Sequence, residues 1–168
     1  MTNSNDAISL LKADHEKVSG LFKKFKAAKS LPKKKELAMK ICMELTIHTK
    51  IEEDIFYPAL EGKIKDDLWH EAWVEHDGAK VLIAEIRRDH HGDTFYEAKV
   101  IVLSEMIKHH VEEEEERGGM FAQARKAGVD LAALGKRLAG EKKKLTAKYK
   151  AEGLPLPATP TFTGTRLA

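Results

Sequence analysis

Residues 105–119 read EMIKHHVEEEEERGG, and this stretch combines helical spacing with side chains that a helical core normally excludes. His110 and Glu114 continue an apolar stripe that ends at Ile107, at steps of three and four residues. The neighbouring His109 falls outside that stripe. A helix that turns the stripe towards a core buries an imidazole and a carboxylate side by side, so the stretch predicts a polar group inside the protein.

The composition favours a globular helical chain. Of the 168 residues, 42% are hydrophobic and 33% are charged, which suits one domain with a sizeable core. No run approaches the roughly 20 apolar residues of a membrane span, and the N-terminus has no signal-peptide pattern. The single cysteine, Cys42, excludes an internal disulfide and a cysteine-rich metal site. We therefore expect a cytoplasmic protein without a membrane partner.

The charge is unevenly distributed along the chain. Residues 1–116 contain 18 Lys and Arg against 24 Asp and Glu, whereas residues 117–150 contain 10 against 2. A basic segment can contact nucleic acid or an acidic surface. The sequence favours packing against the acidic part, or simple solvation, over a nucleic-acid partner.

Apolar spacing and helix-breaking residues divide the chain into five long helices and one short one. The predicted long helices cover about 6–28, 33–60, 66–88, 94–117 and 130–152, and the short one covers about 120–128. The first four have one apolar stripe each and short connections, which predicts an all-α fold, an antiparallel up-down four-helix bundle. We assign residues 1–125 to this bundle, 126–152 to an additional basic C-terminal helix and 153–168 to a Pro-rich tail, extended or disordered.

Polar residues interrupt all four stripes of the predicted bundle. They are His15 in the first helix, His48 and Glu52 in the second, His76 in the third, and His110 and Glu114 in the fourth. A single histidine on such a stripe is usually a hydrogen-bonded core residue. Several buried carboxylates and imidazoles together are costly unless a cation compensates them.

The spacing of these six residues is suited to metal binding. A His-x-x-x-Glu pair occurs twice, at His48 and at His110, and each pair places two side chains about 6 Å apart along one helix face. Nitrogen and oxygen donors without a thiolate suit iron, manganese or zinc. Six donors exceed the four that one tetrahedral zinc needs. Two metal ions that share the glutamates would use all six.

The sequence resembles the hemerythrin-like, HHE cation-binding family over about residues 5–125. The resemblance is carried by the segments LKADHEKV (11–18), LTIHTKIEEDIFYPAL (45–60), VEHDGAKVLIAEI (74–86) and IKHHVEEEEERGGMF (107–121). It implies a four-helix bundle around a non-haem di-iron centre, with an oxo or hydroxo bridge and an open position. By this resemblance Glu52 and Glu114 bridge two iron ions, which are favoured over manganese or zinc. The ligands would be His15 and His48 on one iron, and His76 and His110 on the other.

One position departs from the family pattern. Oxygen-carrying hemerythrins have a further histidine one turn after the third-helix histidine, and here that position is Lys80. One iron is therefore expected to have fewer protein ligands, which favours reaction with peroxide, nitric oxide or oxygen over plain reversible oxygen carriage. Lys80 is expected at the surface, and a cation beside bound anionic oxygen species is the alternative.

Three functions remain open from the sequence. The leading one is a di-iron protein that binds, senses or reacts with a small oxidant: O2, NO or H2O2. The second is an enzyme on the same centre, with catalase-like, peroxidatic or ferroxidase activity. The third is a metal-free helical interaction module that uses the basic fifth helix. A ferritin-like oxidase is disfavoured because no histidine follows a glutamate by three positions.

The remaining histidines and aromatic residues have ordinary interpretations. We expect the histidines outside the stripes to be solvated, with His109 facing solvent or the edge of the site. Tyrosines and tryptophans are expected to form core around the site, and Cys42 to be a small buried apolar residue. These residues are His70, His90, His91 and His109, with Tyr57, Tyr96, Trp69 and Trp73.

Overall fold

The fold was analysed in a computed structural model, which describes residues 6–88 and 93–164. Regular structure in this part of the chain is entirely helical, which confirms the predicted all-α bundle. The helices are α1 (Ala7–Ala27), α2 (Leu31–Ile51), a π-helical turn (Glu52–Phe56), α3 (Tyr57–Leu60), α4 (Asp66–Arg87), α5 (Tyr96–Glu115), α6 (Met120–Lys126) and α7 (Leu131–Glu152). The predicted loop with His90 and His91 lies outside the described residues.

Capping residues set the start of the first two helices. The Asp6 carboxylate accepts the Ser9 N–H at 2.8 Å, which satisfies one of the free donors of the first turn of α1. Ser30 caps α2, and Pro32 lies in the first turn of that helix, where its missing N–H costs nothing. The Leu31-Pro32 pair therefore lies at the start of α2.

The predicted second helix contains a π-helical turn before Pro58. Pro58 has no N–H to donate, which removes one α-helical bond, and the Tyr57 N–H bonds to the Glu52 carbonyl instead. At 3.6 residues per turn, five residues rotate by about 500°, which would turn Tyr57 well away from Glu52. The wider turn brings Tyr57 back towards the face of Glu52, and such turns are frequent at functional sites.

The buried apolar residues form two clusters. The first contains Leu11, Ile51, Phe56, Leu60, Met120 and Leu138 among others, and the second contains Phe25, Ile41, Cys42, Ile83 and Leu103. Tyr96 is buried in the second cluster, about 21 Å along α5 from His110 at 1.5 Å per residue. The expectation that Tyr96 surrounds the polar site is therefore wrong, whereas Tyr57 does contact it.

The basic helix α7 packs against α1 and α2. Its Lys142 forms an ion pair with the buried Asp14 of α1, so basic and acidic parts of the chain do meet. None of the described helices has the length and apolar character needed to cross a membrane. The division of the chain into residues 1–125, 126–152 and 153–168 stays a prediction.

Residues 153–164, here named the C-terminal strap, run along α4. Arg87 donates hydrogen bonds to the carbonyls of Leu154 and Pro155 at 2.5 and 2.6 Å. Thr161 donates two hydrogen bonds to Asp77 of α4. The strap is thus bonded to the bundle at two places.

Candidate metal centre

All six residues singled out by the broken stripes lie at one place in the bundle. Each is at most 7% exposed to solvent, and each comes from an apolar helix face that packing turns inward. They are His15 of α1, His48 of α2, Glu52 of the π-helical turn, His76 of α4, and His110 and Glu114 of α5. Packing of four helices therefore gathers residues that are up to about a hundred positions apart in the chain.

Four of the six residues form the first cluster. One donor atom from each of His15, His48, Glu52 and Glu114 lies within 4.8 Å of the others. The two imidazole Nε2 atoms are 3.1 Å apart. Glu114 Oε2 lies 3.3 Å from His15 Nε2, and Glu52 Oε2 lies 3.2 Å from His48 Nε2. Two nitrogen and two carboxylate donors thus converge on one point.

The second cluster shares Glu52 with the first. Its other members are His76 and His110, whose Nε2 atoms are again 3.1 Å apart. Glu52 Oε2 lies 3.3 Å from His76 Nε2, and the second oxygen of Glu114, Oε1, lies 3.5 Å from His110 Nε2. Each glutamate therefore lies close to histidines of both clusters.

Tyr57 contributes a phenol to the second cluster. Its hydroxyl donates to Glu114 Oε1 at 3.0 Å and lies 3.1 Å from His76 Nε2 and 3.4 Å from His110 Nε2. Tyr57 is fully buried. The sequence predicts Tyr57 as a core residue. The apolar stripe of the second helix assumes an unbroken α-helix, and in such a helix the Tyr57 side chain would point away from Glu52. Pro58, which follows it, was the available signal of the π-helical turn.

A carboxylate faces the outer nitrogen of every histidine in the two clusters. An Nδ1–H that donates to a carboxylate fixes the ring so that the Nε2 lone pair faces inward. The outer pairs, measured from Nδ1 to the nearest carboxylate oxygen, are His15–Glu115 at 2.7 Å, His48–Asp14 at 3.5 Å, His76–Glu53 at 3.0 Å and His110–Glu75 at 2.6 Å. These four carboxylates were not singled out from the sequence, because each lies off the apolar stripes.

Each outer carboxylate is in turn paired with a basic residue. The pairs are Glu115–Lys12, Asp14–Lys142, Glu53–Lys80 and Glu75–His109. Lys80 is buried, with Nζ 2.7 Å from Glu53 and 2.9 Å from Asp77. The expectation that Lys80 lies at the surface is wrong, because the buried Asp77 and the partly buried Glu53 compensate its charge. His109 is largely exposed and also contacts Glu113.

The two clusters have a strongly negative electrostatic environment. Burial by itself lowers the pKa of His48, but Glu52 and Asp14 outweigh burial and raise it to about 10. The pKa of His110 rises to about 9 for the same reason, with Glu114 as the main opposing charge. Without a metal ion these imidazoles therefore hold protons, which are the positive charge that the carboxylates attract.

Protons alone leave the site incompletely satisfied. Both oxygens of Glu52 and Glu114 Oε2 are buried without a hydrogen bond, as is His48 Nδ1. In addition, each of the two Nε2–Nε2 contacts has room for one bridging proton at most. Buried carboxylate oxygens without partners are costly. A metal cation at each cluster would be a partner for the bare oxygens of Glu52 and Glu114, so the donor set fits metal ions.

A small cavity lies beside the four histidines. Its volume is about 10 Å³, close to the minimum for one water molecule. Besides the histidines, its lining includes Val18, Leu45, Ile107 and Val111. The cavity therefore has room for about one water-sized guest, and Asp14 and Thr49 line it together with the aliphatic side chains.

A helical bundle that buries clusters of His and Glu side chains is typical of cation-binding proteins. The family model described as "Hemerythrin HHE cation binding domain" matches residues 6–119, more than half of the chain. The chain belongs to this family, which confirms the resemblance found in the sequence.

A solved structure supports the same assignment. The crystal structure of a hemerythrin HHE cation binding domain-containing protein from Mycobacterium kansasii is similar with a TM-score of 0.74 at 25% identity. The similarity covers 89% of this chain and 94% of that one, so it extends beyond the family-model match into the C-terminal residues. A search of curated proteins gave no match.

Proposed function

We propose that the two clusters hold two iron ions and that the loaded protein binds, senses or reacts with a small oxidant. In this proposal His15 and His48 bind one ion, His76 and His110 bind the other, and both glutamates are shared. The single observation that carries it is the position of Glu52, one oxygen of which lies 3.2 and 3.3 Å from histidines of the two clusters. A carboxylate so placed is suited to bridging two cations.

The donor set argues against structural zinc, and the family resemblance favours iron over manganese. Imidazole and carboxylate donors without a thiolate suit iron and manganese as well as zinc. In structural zinc sites four protein ligands fill all coordination positions of the ion. Six or seven donors shared between two ions would leave coordination positions free for an exogenous ligand. Bound iron supplies redox and Lewis-acid chemistry at such a position. The lone, buried Cys42 agrees with the reducing cytoplasm as the proposed location.

Tyr57 is the proposed seventh donor. Lys80 stands at the position where oxygen-carrying hemerythrins have a further histidine, and its ammonium group already forms ion pairs with Glu53 and Asp77. The Tyr57 phenol lies instead within 3.1 Å of His76 Nε2. Burial and the Glu114 charge raise the pKa of Tyr57, so the phenol keeps its proton and donates it to Glu114 until a cation lowers that pKa.

The cavity supports a diatomic or peroxide ligand. Its volume of about 10 Å³ excludes organic substrates. The aliphatic part of its wall suits weakly polar O2 or NO more than a charged ligand. Val18, Leu45 and Ile107 therefore select the ligand by size and polarity.

An enzymatic activity on the same centre is the second candidate. The hydrogen bond from Tyr57 to Glu114 favours it, because that bond places a transferable proton next to the cavity-lining His76 and His110. Catalase-like turnover would release O2 from H2O2, and a ferroxidase would consume Fe²⁺ and O2. A metal-free interaction module gains no support from the buried, unpartnered carboxylate oxygens.

Metal content after anaerobic purification tests the proposal. We expect two irons per chain and, in air, an ultraviolet charge-transfer band. The Glu114→Gln variant should lose iron and the band, because it removes the charge shared between the clusters. Glu112→Gln, an exposed member of the same glutamate run, is the matched control and should keep both. Zinc as the bound metal, or equal iron in the two variants, would contradict the proposal.

A further inference from the structure

The C-terminal strap lies outside the family-model match and still reaches the surroundings of the metal centre. The matched segment ends at residue 119, and the strap covers residues 153–164. Two hydrogen bonds from Arg87 align its first residues with α4. The strap then continues to Asp77, the residue that follows His76 in the chain.

Thr161 provides the contact between the strap and Asp77. Its backbone N–H and its hydroxyl both donate to Asp77 Oδ2, each at 2.7 Å. Asp77 is fully buried. A buried carboxylate oxygen needs such donors, because burying it without a hydrogen bond is costly. Thr161 thus satisfies one of the two oxygens of Asp77.

The other oxygen of Asp77 begins a chain of charged contacts that ends at His76. Lys80 Nζ donates to Asp77 Oδ1 at 2.9 Å and lies 2.7 Å from Glu53 Oε1. The same Glu53 oxygen lies 3.0 Å from His76 Nδ1. Thr161 is therefore connected to a proposed metal ligand through three intervening side chains, all of them buried or nearly so.

The first residues of the strap also lie close to this series of contacts. A cavity of about 540 Å³ lies beneath its first residues, and Glu53 and Lys80 are part of the cavity wall. Their side chains are only 11% and 10% exposed. Because water screens the Lys80–Glu53 ion pair only weakly, the geometry of this pair depends on how close Lys80 Nζ lies to Glu53 and to Asp77.

We infer that Thr161 is a positioning residue for His76, an inference that rests on the proposed metal centre for its functional meaning. When the Thr161 donors are present, Asp77 is satisfied and Lys80 remains shared with Glu53. Without them Asp77 draws Lys80 away from Glu53. Glu53 then lacks its countercharge, and the His76 ring is held less well in the orientation that turns Nε2 inward.

Three full-length variants test this inference. Thr161→Val removes the hydroxyl donor at nearly constant shape, Thr161→Pro removes both donors, and Thr161→Ser should restore the wild-type behaviour. Thr163→Val, at an exposed position of the same strap, is the matched control. Thermal unfolding checks that every variant is folded at the working temperature.

The first measurement uses metal-free protein, so that it does not depend on the proposed function. We expect the ring ¹⁵N resonances of His76 to shift in Thr161→Val and more in Thr161→Pro, while those of His15, in the other cluster, stay unchanged. Thr161→Ser and Thr163→Val should match the wild type. Unchanged His76 resonances in both Thr161→Val and Thr161→Pro would overturn the inference, whatever metal the protein binds.

The second measurement is the rate at which loaded protein releases metal to a chelator. Loss of an outer partner of a metal-bound histidine typically costs 10–100-fold in metal affinity. We expect release to be about 10-fold faster in Thr161→Val and to return to the wild-type rate in Thr161→Ser. Equal release rates in Thr161→Val, Thr161→Pro and Thr163→Val would overturn the inference. Failure of the wild type and of every variant to load metal would overturn the proposed function alone.

Discussion

At the scale of single residues, Lys80 shows that charge compensation can reverse a sequence-based expectation. A lysine on an amphipathic helix usually extends its ammonium to water. Here Glu53 and Asp77 lie within 2.9 Å of Nζ, and Lys80 is buried. Burying the charge is tolerable because two carboxylates solvate it. Lys80 therefore stabilises the partner of His76 instead of contacting a ligand.

Tyr57 leads to a spectroscopic prediction. In Tyr57→Phe the ring still fills its place in the core, but the phenol oxygen next to His76 is gone. We expect iron content to stay at the wild-type level within a factor of about two and a visible phenolate-to-iron band to disappear. Tyr96→Phe, buried in the second apolar cluster, is the control. Identical visible spectra for Tyr57→Phe and the wild type would exclude Tyr57 as a ligand.

The raised histidine pKa values predict how the stability of metal-free protein depends on pH. His48 and His110 have pKa values of about 10 and 9 in the folded state, against 6.5 for a free histidine. A raised folded-state pKa gives stability that is fully present below pH 6.5 and is lost as the pH rises through 9 and 10. We expect the urea midpoint of metal-free protein to fall between pH 7 and 10.

The metal-loaded protein is the control for this pH dependence. Its histidines have already exchanged protons for metal, so its urea midpoint should change much less over the same range. A midpoint of metal-free protein that stays constant or rises up to pH 10 would show that carboxylates do not hold protons on these imidazoles.

At the scale of secondary-structure elements, the turn from α5 to α6 places an aromatic residue against the site. Gly118 has a φ of 106°, which favours glycine, and α6 begins immediately after Gly119. The turn brings Phe121 into a parallel stack with the His15 ring, with centroids 5.8 Å apart. The paired glycines that end the predicted fourth helix thus also determine how α6 covers the first cluster.

Substitution of Gly119 tests this close approach. A Cβ at this position would lie 2.2 Å from the Glu113 carbonyl oxygen, so α6 must shift. We expect Gly119→Ala to lower the free energy of unfolding by about 1–3 kcal/mol, the usual cost of overpacking. Gly140→Ala in α7, where a Cβ meets nothing within 4 Å, should raise it by about 0.5–1 kcal/mol. Urea denaturation measures both, and equal effects would disprove the close contact.

At the scale of the whole molecule, the fold encloses a layer of acids and imidazoles between two apolar clusters. This arrangement weakens the metal-free protein, because buried carboxylates without partners oppose folding. A cation that binds only the folded state shifts the folding equilibrium towards that state. In the proposed function, metal binding and stability are therefore coupled through the same six residues.

This coupling predicts a large effect of metal on thermal unfolding. Metal at 1,000 times its dissociation constant stabilises the folded state by about 4 kcal/mol, which corresponds to about 8–16 °C in Tm for a chain of this size. We expect a chelator to reverse the shift and Glu52→Ala to abolish it. A Tm that does not change on loading would mean that the clusters do not bind the added metal.

The sequence by itself determined the helices and the inward position of six polar residues. Both follow from the 3.6-residue period and from the cost of burying charge, which are properties of local spacing. The place of Tyr57, the burial of Lys80 and the outer carboxylates were decided only by tertiary structure. Contacts such as His15–Glu115 and Thr161–Asp77 join residues 100 and 84 positions apart. No local pattern specifies such pairs, because they depend on how the helices and the strap pack against one another.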